Sequence, residues 1–150
     1  MEILYSAHSG LRYLVLLLGF VALAYFAVGW GTNRTYDRAA RILGSSYVGT
    51  LHLQVVLGVL LIASGIYYPA LNGHLVMMLA AAAAATYLIR RGRRAPEAGH
   101  VNVLSFAGVL LSLLLIVGGI MAIGRGVFGH QPPGSRPASD QPPPVRLPTR

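Results

Sequence analysis

Val48-Gly49-Thr50-Leu51-His52-Leu53-Gln54-Val55-Val56-Leu57-Gly58-Val59-Leu60-Leu61 is the stretch on which the fold turns. It lies in an almost uncharged segment, Val48 to Tyr68, long enough to cross a bilayer as an α-helix. A His and a Gln stand inside that segment. Hydrocarbon offers an imidazole no hydrogen-bond partner, so at such depth the ring is bonded to protein, turned toward a wet cavity or bound to a metal.

Working outward, three more apolar blocks appear, and each of the four is followed by Arg, Gly or Pro. With 55% of the 150 residues hydrophobic and 11% charged, the composition is that of a polytopic membrane protein of one domain. The fold expected is all-α: an up-down bundle of four transmembrane helices at about 6–30, 46–68, 74–90 and 96–123, forming a domain over 1–127. The net charge of +8 comes from Arg alone, and most of these Arg sit in short loops. That is a topology signal and not the basic, aromatic-interleaved face of a nucleic-acid site. Cysteine is absent, which excludes disulfides, thiolate metal sites and iron–sulfur clusters and leaves the redox compartment open.

The N-terminal residues carry no basic segment ahead of the first apolar run and no small-residue cleavage site after it, so the first span is expected to be kept. His8 and Arg12 are four residues apart and share a face near the outer end of helix one. Arg34, Arg38 and Arg41 fall in the first loop with Asp37, where Tyr36 to Leu43 could form a short interfacial helix. Helix two stops at Pro69, and the tight link to His74 makes helices two and three neighbours. The Ala80-to-Ala85 tract lets a neighbouring helix approach helix three closely, and Pro96 suits the first position of helix four. Arg90, Arg91, Arg93 and Arg94 fill the third loop. By the positive-inside rule both basic loops are cytoplasmic and both termini lie on the periplasmic side of a bacterial inner membrane. The tail, 128–150, is rich in Pro and poor in apolar residues, so an extended, disordered segment is expected there.

The histidines carry whatever chemistry exists. Alternating helices put His8 and His74 at the outer ends of helices one and three, and His52 and His100 near the inner starts of helices two and four. On those helix starts His52 lies roughly 9 Å along its helix and His100 roughly 6 Å, so the two could reach one level. Neutral imidazoles on facing helices are suitable axial ligands for haem iron. A plainer reading stands beside this one: near a helix end a His can cap, snorkel or hydrogen-bond at the interface. Gly58 and Gly65 share the face of Gln54, well away from His52, and that face suits packing against another helix.

His8-Ser9-Gly10-Leu11-Arg12, Gly29-Trp30, Asp37, His52-Leu53-Gln54, His74-Leu75-Val76-Met77-Met78 and His100 follow one another in an order and spacing that resembles a family of small four-helix bacterial membrane proteins loosely labelled cytochrome B-like. The resemblance covers residues 8 to about 105. The chain departs from the family pattern at Tyr13 (Trp in the family), Gly73 (Glu) and Gly124-Arg125-Gly126 (a Pro-Trp-Pro-like end). Loss of the acid before His74 removes a partner that would orient that ring, which leaves His52 and His100 as the favoured pair. The resemblance implies a b-type haem, with His52 and His100 on the iron and His8 and His74 as further cofactor-binding candidates.

Two functions from different classes follow. In one, the chain is a b-type cytochrome-like electron-transfer subunit, linked to quinone and without independent catalytic activity; quinone or a bound lipid is a further ligand. In the other, it is an accessory subunit of a respiratory or photosynthetic complex without a cofactor, docking through its Ala and Gly faces and gripping an extrinsic protein with its tail. Its partners on either reading are the bilayer and other subunits, not nucleic acid. No nucleophile with a base, phosphate loop or carboxylate metal set occurs, which argues against a hydrolase or transferase.

Overall fold

Asp37 begins the second helix, and its side chain is the reason that helix starts where it does. Its carboxylate accepts the Ala40 N–H at 2.8 Å as an N-cap, so the helix opens at Arg38 and runs unbroken to Ala63. The segment read as a separate interfacial helix and the span read as starting near residue 46 are therefore one element. The computed structural model describes residues 2–95 and 98–124, and these form four α-helices with no strand among them. They are α1 (Glu2–Gly31), α2 (Arg38–Ala63), α3 (Leu71–Gly92) and α4 (Ala98–Ala122). Pro96 and the Pro-rich tail 128–150 lie outside the described residues.

Local chemistry ends the helices as well. After α2, Gly65 takes the left-handed conformation (φ 96°), while its N–H reaches Ile62 O and the Ile66 N–H reaches Leu61 O. This double bond closes the free carbonyls, and it stops the helix several residues before Pro69. Asn33 (φ 50°) does the same after α1, with Arg34 N–H bonded to Gly29 O; Asn is the residue after Gly that best tolerates that conformation.

All four helices are long and apolar enough to cross a membrane. Even α3, at 22 residues, is long enough to span a hydrocarbon core of about 30 Å. Large apolar side chains such as Leu17, Phe20, Leu60, Val76 and Leu114 are exposed. An aqueous surface would not carry so many, whereas a bilayer accepts them.

Helix α1 packs on α2 and α4, and α3 packs on α4 and more loosely on α2, so the helices form a ring in chain order. The small residues are spent inside that ring. Ala81, Ala82 and Ala85 of α3 are buried. A Cβ on Gly108 of α4 would stand 2.9 Å from Leu88 Cβ, closer than two carbons can approach. The Ala and Gly faces are thus consumed by the α3–α4 contact. Across the diagonal, Tyr47 of α2 bonds Ser112 of α4 at 2.5 Å, both wholly buried, which sets one level of α2 against one level of α4.

The two ends of the bundle differ in chemistry. At one, Arg93 donates to Tyr36 Oη at 3.0 Å, Arg41 O at 3.3 Å and Ser45 Oγ at 3.0 Å, and Asn102 donates to Arg34 O at 2.7 Å. Both Arg-bearing loops therefore meet at the same end. Asp37 pairs with Arg34 at 2.9 Å and accepts Tyr25 Oη, and its carboxyl is held below the usual 3.8, first by the Ala40 N–H and then by Tyr25. The opposite end holds His8, Gln54 and His74.

Candidate functional site

Gln54 is the residue that gathers this end. It is 8% exposed on α2, deep in an apolar helix, and its amide must find partners there. Its Nε2 donates to the His8 carbonyl of α1 at 2.9 Å and stands 3.3 Å from His8 Nε2. A carbonyl can only accept, so the amide nitrogen must be the atom facing it, and Oε1 points the other way. The same logic makes His8 Nε2 the acceptor and places the proton of the neutral ring on Nδ1. Gly58, one turn beyond Gln54, makes room for the ring: a Cβ there would lie 3.1 Å from His8 Cε1.

His74 of α3 is fixed from the other side. Its Nδ1 donates to the Gly119 carbonyl of α4 at 2.9 Å, which sets the tautomer. Gly119 is needed at that point, since a Cβ would fall 2.7 Å from Met78 Cε and 3.0 Å from Met77 Cβ. Arg12, one turn after His8, donates through Nη2 to Tyr13 Oη at 2.9 Å and lies 4.8 Å from that ring's centroid. At this site Arg12 Nε and Gln54 Oε1 are buried without a hydrogen-bond partner among the described residues.

Two cavities, of about 70 and 100 Å³, adjoin these groups. Tyr5, His8, Gln54, His74, Met78 and Ile123 border both. The smaller adds Ser9, Arg12, Leu51, Ile116 and Ile120 from the bundle interior. The larger runs between α2 and α3, the loosest pairing, past half-buried Val55, Ile62 and Leu75. Each has room for several waters or a small polar head. Among the described residues no carboxylate borders either cavity, and Arg12 makes the wall positive. Such a wall can orient and hydrogen-bond an oxygen-bearing ring.

No family model matches the chain, no curated protein matches it, and no solved structure matches it.

Of the four candidate histidines, the structure brings His8 and His74 to one pocket and does not bring His52 and His100 together. His52 is exposed, and its Nδ1 is bonded to Val48 O at 2.8 Å on its own helix. His100 is exposed at the start of α4. Leu51 and Gln54 of α2 share a cavity with Ile116 and Ile120 of α4, so both helices run from the Tyr47–Ser112 level toward the pocket. His52 lies five residues past Tyr47 and His100 twelve before Ser112, which separates them by roughly 25 Å along the bundle. The earlier start of α2, at Arg38 in place of about residue 46, accounts for about 12 Å of this. Axial ligands face each other across one iron, and the structure sets these two residues at different levels.

Arg12, Gln54 and Met78 are members of the pocket that the sequence reading left out of the site. A signal for Gln54 existed: it is a polar residue deep in a span, on the face of Gly58, and a polar residue on a packing face needs a partner across that face.

Proposed function

We propose that this chain is a quinone-linked electron-transfer subunit of a bacterial inner-membrane complex, with the pocket between His8, Arg12, Gln54 and His74 as its ligand site. The bundle runs up-down, its Arg-rich end cytoplasmic by the positive-inside rule, so the pocket opens in the outer half of the membrane. One observation carries the reading: a cluster of imidazole, amide and guanidinium groups, with no carboxylate among the described residues, converges on two largely apolar cavities, the larger of which lies along the loosest helix seam. A quinone ring needs hydrogen bonds at its oxygens, apolar contact on its faces and a side exit into lipid for its tail. Leu51, Met78 and Ile116 supply the apolar walls, and the α2–α3 seam supplies the exit.

The test is binding of a short-tailed benzoquinone to the full chain in lipid nanodiscs, by calorimetry against empty nanodiscs. Saturable binding that falls at least tenfold with Arg12→Met is expected. Uptake of both the quinone and its hydroquinone no greater than that of empty nanodiscs would refute the reading.

A further inference from the structure

The hydrogen-bonding inventory of the pocket is asymmetric, and the asymmetry bears on the redox form of the ligand. Arg12 Nε–H is a donor without an acceptor, and Gln54 Oε1 is an acceptor without a donor among the described residues. Both side chains border the smaller cavity. The Gln54 orientation is not open to choice, because its amide nitrogen is committed to the His8 carbonyl at 2.9 Å. Rotating the amide by half a turn would set two oxygens against each other. A buried acceptor left without a proton is costly, more so in an apolar setting.

From this we infer that the pocket selects the dihydroxy form, a hydroquinone, over the corresponding dione. The inference rests on the quinone reading above. A hydroquinone hydroxyl serves both orphans at once: its hydrogen goes to Gln54 Oε1 and its oxygen accepts from Arg12 Nε–H. A dione carries acceptors alone. It can take the Arg12 proton donor, but it leaves Gln54 Oε1 unsatisfied and sets oxygen against oxygen. Sites built to bond a ligand hydroxyl reject the analogue lacking it, since the protein group is then stranded. Gln54 is a specificity-determining residue in this scheme, and Arg12 anchors either form.

The preference expected is about ten- to a hundredfold in Kd, the range that an unsatisfied buried polar group costs. The experiment is anaerobic calorimetry of the full chain in nanodiscs with three probes: a short-tailed hydroquinone, its dione and its dimethyl ether. The hydroquinone should bind at least tenfold tighter than the dione, and the ether, with no hydroxyl hydrogen, should match the dione or bind more weakly. Gln54→Met should bring the hydroquinone-to-dione ratio close to one. The ratio within one preparation is insensitive to partial loss of folded protein, and the wild type alone decides if Gln54→Met does not fold. Equal wild-type affinity for hydroquinone and dione overturns this inference and leaves the quinone site standing. Binding of neither removes the site and this inference with it.

Discussion

The bond between Tyr47 and Ser112 links α2 to α4 across the bundle, and the donor can be assigned. Ser112 Oγ lies 2.9 Å from the Val109 carbonyl, which takes its single hydrogen, so Tyr47 must donate to Ser112. Both residues are 0% exposed. Tyr47→Phe removes the donor and leaves Ser112 still bonded to Val109; the loss is one net hydrogen bond, about 1 kcal/mol, or about 0.6 by the average for membrane interiors. Ser112→Ala instead strands the Tyr47 hydroxyl where no water reaches it, which costs about 1–3 kcal/mol. Ser112→Ala should therefore be the worse of the two. The double variant should be no less stable than Ser112→Ala alone, because removing the stranded hydroxyl relieves its penalty. Reversible unfolding in mixed micelles measures all four corners of the cycle. Additivity to within about 0.3 kcal/mol, or a greater loss for Tyr47→Phe, would refute the donor assignment and the contact with it.

His52→Ala and His100→Ala should each leave the visible spectrum of the dithionite-reduced protein unchanged, since both side chains are exposed and at different depths; loss of a haem α-band in either variant would contradict that placement. Cysteines at Thr32 and Arg94 should resist an impermeant thiol reagent in intact cells while one at Asn72 reacts, and the reverse pattern would invert the orientation. Asp37, part-exposed at the cap of α2, has a carboxyl held below 3.8, first by the Ala40 N–H. A depressed folded value stabilises the protein above the ordinary value, and that contribution is lost as pH falls through the folded one. Thermal unfolding midpoints below pH 4 should accordingly fall more steeply with acid in the wild type than in Asp37→Asn, which keeps a capping oxygen without the titration. Parallel profiles would show that the cap does not couple to protonation.

The class of this protein is written in its sequence because it depends on one-dimensional quantities. Four apolar blocks of sufficient length, Arg gathered in two loops, and the Ala80-to-Ala85 tract are each visible residue by residue, and hydrocarbon leaves a long apolar segment little choice but a helix. The start of α2 was also within reach, since an Asp three residues before the N–H it caps is a local signal, but Arg38 and Arg41 beside it read as loop. That one boundary carried a wrong depth for His52. The pocket could not be read in the same way. Gln54 and His8 are 46 residues apart, and His74 bonds a carbonyl of Gly119, 45 residues on. Those partners meet because α1 to α4 close into a ring, and the rotation of each helix about its axis is set by which small residues interlock, Gly58 under His8 and Gly119 under Met78. Rotation decides whether a polar side chain in a span faces a cavity, as Gln54 does, or the outside, as His52 does. A sequence shows only that such side chains are present; the tertiary packing decides which of them can meet a ligand, because a turn of about 100° per residue moves a neighbour from one face to the other.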